Sequence, residues 1–357
     1  MTGNKGEWSE IYTLFKLLGD GVVYAGNGNM EKIEHLFYPI MRVIRNESKT
    51  YNYEPRLSDN RVVVISDNEG QELMRISMLD FSSKAKILLD SIKAARGSAF
   101  SLPIIEEFMY SVKCYSLKAR STDKTDIRIV IHDLRTGTTP TLGFSIKSQL
   151  GQPSTLLNSG MTTNFKYRID GVDFSDEEVL RINAIAGQND RMNYILSRGA
   201  RLKYHSMDCQ TFEDNLIIID SFMPEIVAEC LNEHFISGYN NLDDLTKGVI
   251  RRNPLGVRRN PDLYYTTKIK SLLLDVALGM TPARVWTRKY DANGGYLVVR
   301  NDGEVLCYHF YDRNQIEDYL YQNTRFDYPS RKRYHYGSLY RENDSLYMKL
   351  NFQIRFK

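Results

Sequence analysis

The stretch Thr125 to Gly151, TDIRIVIHDLRTGTTPTLGFSIKSQLG, constrains the fold of this chain most. Ile127, Ile129 and Ile131 alternate with Arg128, Val130 and His132, and a period of two rich in β-branched residues predicts a strand. Leu134 to Leu142 carries Gly137 and Pro140 and reads as a connection. Gly143 to Ser148 reads as a second short strand. In an antiparallel hairpin the start of the first strand lies beside the end of the second. The pattern therefore sets Asp126 beside Lys147, with Ser145 two residues before the lysine. A carboxylate and a lysine meeting at the edge of a buried sheet can do chemistry. The same residues also suit a purely structural sheet edge.

With 357 residues the chain is long enough for one large core or two domains. Lysine and arginine number 47 against 44 acidic residues, a formal net charge of +3, so any nucleic-acid surface has to come from segregated charge. Cys114, Cys209, Cys230 and Cys307 form no CxxC and have no nearby histidine pair. That argues against a zinc site or a disulfide framework, and for a reducing, cytoplasmic setting. The opening MTGNKGEWSE lacks the apolar core of a signal peptide, and no run is long and apolar enough to predict a membrane span.

Gly6 to Leu18 predicts a helix with the apolar stripe Trp8, Ile11, Phe15 and Leu18, stopped at Gly19-Asp20-Gly21. Glu7 and Glu10 lie on the adjoining stripe. On spacing alone they suit a helix dipole first, and carboxylates turned inward to a metal second. Residues 37–77 read as short strands. Ser82 to Ala95 and Pro103 to Val112 read as helices, one with a serine cap and one with proline at its first position. After the hairpin come a polar stretch, Gln152 to Asn164, then a strand, Phe165 to Ile169, and a helix, Asp176 to Ile185. From Arg191 to Met280 the pattern is helical, with Pro224 as a break. Ile250 to Pro261, IRRNPLGVRRNP, reads as a positively charged loop. GYLVVRNDGEVLCYHFYD reads as a hairpin turning at Asn301-Asp302-Gly303, and Tyr334 to Phe356 as two strands. These elements predict an α+β protein with a mixed central sheet flanked by helices. Two parts are expected, residues 1–190 and a helical then β-rich 191–357, with a soft boundary.

The chain has no GxSxG, no GxxxxGK[ST] and no GxGxxG after a strand, so neither a serine hydrolase nor a nucleotide fold has support. Its six histidines are spread singly. Asp126, Ser145 and Lys147 suit a different chemistry. Mg²⁺ takes near-octahedral oxygens, commonly one or two carboxylates plus water and phosphate. Phosphodiester hydrolysis uses such an ion to polarise the phosphate and acidify the attacking water, and a lysine beside it stabilises the growing negative charge. One carboxylate is thin for the task, so Glu10 is the candidate for a second. Asp133 is the rival to Asp126 but ranks second, since at the far end of its strand, beside the turn, it also reads as a turn cap.

TDIRIVIHD followed by GFSIKSQLG resembles the core of the PD-(D/E)xK nucleases, with Asp126 as the strand-start aspartate and Ser145-Ile146-Lys147 in the slot of (D/E)xK. NKGEWSE, SIKSQLGQPSTLLNSGMTTNFKY and KLNFQIRF extend the similarity to the HpaII-type restriction endonucleases over nearly the whole chain. The resemblance implies a restriction-endonuclease-like core and a type II enzyme of a restriction–modification system. Such an enzyme cuts double-stranded DNA at CCGG with Mg²⁺. It implies Asp126 as a metal ligand and Lys147 as the catalytic lysine. Ser145 departs from the superfamily pattern, since many relatives carry a carboxylate there. The missing charge has to come from elsewhere, with Glu10 as the candidate, or a single metal has to suffice.

A site of G and C calls for donors to guanine N7 and O6, best supplied by arginine. The candidates are Arg251, Arg252, Arg258 and Arg259 in the Asn-Pro loop, and Arg331, Lys332 and Arg333 before Tyr334. Each could instead hold a phosphate, which positions the protein without reading sequence. A palindrome suits a two-fold homodimer. A monomer that nicks each strand in turn would serve as well. Two rivals remain at this point. One is a nuclease of the same fold with another target, such as repair. The other is an inactive DNA-binding protein, suggested by Ser145.

Overall fold

The computed structural model describes residues 1–119, 125–290 and 293–357. The chain forms two compact units, residues 1–154 with 290–319, and residues 155–289 with 320–357. The boundary expected near 190 thus lies inside the second unit.

The first unit opens with α1 (Lys5–Asp20). Its predicted stripe of Trp8, Ile11, Phe15 and Leu18 is wholly buried. Asn4 caps its start, and Gly21 closes it in the left-handed conformation with φ 70°. Then come β1 (Val22–Gly26), β2 (Lys32–Asn46), β3 (Thr50–Arg56), β4 (Val62–Ser66) and β5 (Glu72–Ser77). Helices α2 (Met78–Ala94) and α3 (Pro103–Ser111) follow. α1 and α2 touch closely at Gly19, where a Cβ would lie 2.4 Å from Ser82 Oγ. The hairpin forms as β6 (Ile127–Ile131) and β7 (Thr141–Ser148).

The second unit takes over with β8 (Thr155–Leu157), β9 (Asn164–Asp170), α4 (Asp176–Ala184) and α5 (Gln188–Ser197). A strand, β10 (Arg201–Met207), interrupts the region expected to be helical. Its residues alternate between exposed and half-buried, and β9 supplies the partner that a short strand needs. Helices α6 (Gln210–Ile219), α7 (Met223–Ser237), α8 (Leu242–Arg252) and α9 (Pro261–Ala277) follow, with Pro224 in the first turn of α7. The chain then re-enters the first unit as β11 (Gly295–Val299) and β12 (Val305–His309). From there α10 (Arg313–Asn323) carries it back to β13 (Thr324–Phe326), α11 (Arg331–Tyr334), β14 (Leu339–Glu342), β15 (Ser345–Asn351) and β16 (Ile354–Phe356).

Among the described residues the first unit holds a nine-stranded mixed sheet in the order β1-β12-β11-β7-β6-β2-β3-β4-β5. β1 also pairs with the first half of β2, so the strands from β1 to β2 close into a ring, and β3, β4 and β5 extend from it. β7 lies between antiparallel β6 and parallel β11. One apolar core joins α1, α2 and α3 to this sheet. The second unit holds a four-stranded sheet, β10-β9-β15-β14, and a three-stranded one, β13-β16-β8. The architecture is α+β, as expected. No described helix is long and apolar enough to cross a membrane. Cys114, Cys209, Cys230 and Cys307 are free thiols.

Candidate active site

The two glutamates of α1 have separate fates. Glu7 belongs to the helix cap: Asn4 N–H donates to its carboxylate at 2.9 Å, and its own N–H donates to Asn4 Oδ1 at 3.0 Å. The bond from the Asn4 backbone, with Lys118 at 3.2 Å, holds the Glu7 carboxyl below its usual range. Glu10, one turn on, lies half-buried over a cleft. Burial, and then the charge of Asp126, pushes its carboxyl up to about 8.

Asp126 stands at the entry to β6. Its N–H donates to Phe144 O at 2.9 Å, and its Oδ2 accepts from Ile146 N–H at 2.6 Å. The register pairs Ile127 with Phe144, so Asp126 falls opposite Ser145, two residues before Lys147 rather than directly beside it. The two strands approach closely here, for a Cβ on Gly143 would lie 2.5 Å from Thr125 Cγ2. Lys147 Nζ sits 5.0 Å from the centre of the Tyr296 ring on β11. Burial lowers its pKa, while Asp126 and Glu10 oppose that shift.

Glu10, Asp126 and Lys147 line one cleft of about 760 Å³, together with Asn4, Lys5, Ser148 and Gln152. α1 delivers the first, the start of β6 the second and the end of β7 the third. Ser145 lies in register with Tyr296 and is not among the lining residues. Asp133 is buried at the other end of the hairpin and caps its turn, accepting from Arg135 N–H at 2.9 Å. The arginine reaches across to Asp312, which Tyr38 also binds.

Residues 4–356 match the model of the HpaII restriction endonuclease family. The chain is 45% identical over 359 aligned positions to the type II restriction enzyme HpaII of Haemophilus parainfluenzae, covering 99% of this chain and 98% of that protein. The chain belongs to the HpaII restriction endonuclease family. No solved structure gives a significant match.

This member of the HpaII family brings two carboxylates to the cleft. Among the described residues no group of three or more His, Cys, Asp or Glu side chains is placed to hold a metal. Glu10 and Asp126 nonetheless suit a hard divalent cation such as Mg²⁺. The Asp126 charge adds to the cost of ionising Glu10 in a desolvated cleft, and an ion that takes few protein ligands relieves it.

The basic residues singled out from the sequence fall in three settings. Arg251 and Arg252 are not in a loop but form the last turn of α8, where cations favour the helix dipole. Arg252 is committed to α7, binding Glu233 and lying 3.5 Å from Glu229. Arg258 and Arg259 are exposed on the connection between Asn253 and Asn260. Arg331, Lys332 and Arg333 make the short helix α11, capped by Ser330; Arg331 donates to Ala186 O at 3.4 Å and Arg333 lies over the Tyr334 ring.

Sequence reasoning missed Tyr296 and the hydroxyl pair Ser9 and Ser148, whose Oγ atoms lie 2.8 Å apart. Only Ser9's place on the buried side of the α1 stripe was a signal. The Lys147–Tyr296 contact depends on a parallel pairing between distant segments, which no local pattern reveals.

Proposed function

We propose that this chain is a type II restriction endonuclease that hydrolyses phosphodiester bonds of double-stranded DNA at CCGG with Mg²⁺. The observation that carries this reading is the convergence of Glu10, Asp126 and Lys147 on one cleft, in a chain of the HpaII family. We take the mixed sheet with α1 and the β6–β7 hairpin as its restriction-endonuclease-like core. The relative it resembles over 99% of its length is a type II restriction enzyme.

Glu10 and Asp126 would hold the Mg²⁺, which supplies Lewis acidity at the scissile phosphate and lowers the pKa of the attacking water. Asp126 is held for this by the Ile146 amide. Lys147 is fixed by β11 and the Tyr296 ring, so its ammonium needs little reorganisation to orient the water and meet the charge that grows on phosphate oxygen. Its burial leaves it less hydrated and therefore more effective electrostatically. Arg258, Arg259 and the α11 cluster are the proposed DNA contacts among the basic candidates, with Arg252 as a brace.

The test is cleavage of duplexes with and without CCGG, in Mg²⁺ or in EDTA. Cutting confined to CCGG and lost in EDTA is the expected result. Cutting of duplexes without CCGG points to a nuclease with another target. Binding without any cutting points to an inactive DNA-binding protein.

A further inference from the structure

The four-stranded sheet of the second unit has two unlike faces. Phe165, Tyr167, Ile169, Met348 and Leu350 are buried on one of them, where Tyr167 donates to Ala228 O on α7 at 2.8 Å. The other face is basic and aromatic. The register sets Lys203 of β10 opposite Arg168 of β9, Arg168 opposite Tyr347 of β15, and Tyr347 opposite Tyr340 of β14. In the next row Lys166 lies opposite Lys349.

Like charges directly opposite on neighbouring strands are unfavourable, and this face repeats them, Lys203 against Arg168 and Lys166 against Lys349. The face tolerates this by pinning cations to rings and a few carboxylates. Lys166 Nζ lies 4.2 Å from the Tyr347 ring centre and 2.7 Å from Glu342. Lys349 lies over Tyr340 and 2.8 Å from Asp208. Arg168 is 2.6 Å from Asp170, a carboxylate that Arg201 and Lys203 also influence. Tyr340 and Tyr347 stack at 5.9 Å. Arg168, Arg201, Lys203 and His205 are exposed.

We propose that this sheet face is a second phosphate-binding surface for double-stranded DNA, built from Arg168, Arg201, Lys203, Lys166 and Lys349. The proposal rests on the nuclease reading above and extends it to residues outside the cleft and the Asn253–Asn260 connection. Charge complementarity selects the partner. Lys166 and Lys349, held by rings, and the exposed Arg168, Arg201 and Lys203 form rows of positive charge, and a duplex presents one negative charge per about 1.7 Å of axis. The cavity between β10 and the Pro254–Leu255 segment is lined by Arg201 and Lys203 as well as by Glu213, Glu225 and Glu229. Those acids repel phosphate from the cavity itself, so the proposed contact is the outward sheet face.

The test is binding of a synthetic CCGG duplex by the full chain, followed by anisotropy across a salt series, alongside steady-state cleavage. Arg201→Gln with Lys203→Gln is expected to reduce the slope of log K against log salt by about two, since each phosphate contact contributes about 0.9. KM should rise while kcat holds, and Arg201→Lys with Lys203→Arg should restore the slope. An unchanged slope and KM in the glutamine variant, with the parent binding and cutting normally, overturns the proposal while leaving the nuclease reading intact. A parent that binds DNA without cutting it fails the nuclease reading, and the slope still decides this one. A parent that binds no duplex overturns both.

Discussion

The hydroxyls of Ser9 and Ser148 meet 2.8 Å apart, joining the helix that carries Glu10 to the strand that carries Lys147. Each hydroxyl has one proton to give. Ser9 gives its proton to Lys5 O at 2.7 Å, so Ser148 must donate to Ser9, while accepting from Leu150 N–H at 3.1 Å. The resulting chain runs from β7 into the first turn of α1. Ser148→Ala is expected to cost about 1 kcal/mol of stability. It should slow single-turnover cleavage by roughly tenfold with DNA affinity unchanged, because a small misplacement of one site element weakens alignment. An unaltered cleavage rate in the folded variant removes the positioning role.

Lys147→Ala should cut kcat by at least about a hundredfold, the scale set by losing one preorganised group that faces growing charge. Duplex binding, read by anisotropy, should persist. Loss of binding in a folded variant tells against a catalytic role.

Glu10 makes the metal-free protein sensitive to pH. Its carboxyl rises from 4.5 to about 8 on folding, so the folded chain holds that proton more tightly than the unfolded chain does. The contribution is intact below pH 4.5 and is lost as pH climbs through about 8. In EDTA, Glu10→Gln should therefore melt a few degrees higher than the parent at pH 8 and level with it at pH 4. Mg²⁺ binding near pH 7 should release about one proton from the parent and none from the variant. Calorimetry in two buffers of different ionisation heat reads the proton. Equal melting temperatures at pH 8 would count against the buried, shifted carboxyl.

The arginines of IRRNPLGVRRNP should separate into two behaviours. Arg258→Gln and Arg259→Gln should each lower the salt slope of DNA binding by about one without changing the melting temperature. Arg252→Gln should lower the melting temperature by about 2–4 °C, because it strands Glu233 against α8. An Arg252 variant of full stability with a reduced slope would reverse its assignment.

The local features were the legible ones. Trp8, Ile11, Phe15 and Leu18 announced α1, the alternating isoleucines announced β6, and Asn301-Asp302-Gly303 announced the β11–β12 turn. Each depends on spacing within a few residues. β10 was hidden because Leu202 and Tyr204 are only half-buried, so its alternation is weak beside the helices around it. Arg251 and Arg252 were read into a loop because Asn253-Pro254 dominates the stretch, yet a helix C-terminus welcomes arginine and stops one residue before that pair. Glu10 could be placed on a helix face but not beside Asp126, since the distance between them is set by how α1 packs on the sheet.

β11 lies against β7, and β11 is made late. Ribosomes release residues 155–289 before Tyr296 exists as a residue at all. A nascent chain therefore carries Glu10, Asp126 and Lys147 with one flank of the lysine strand still open. The cleft proposed for catalysis is therefore flanked by β11 only after most of the second unit has been synthesised.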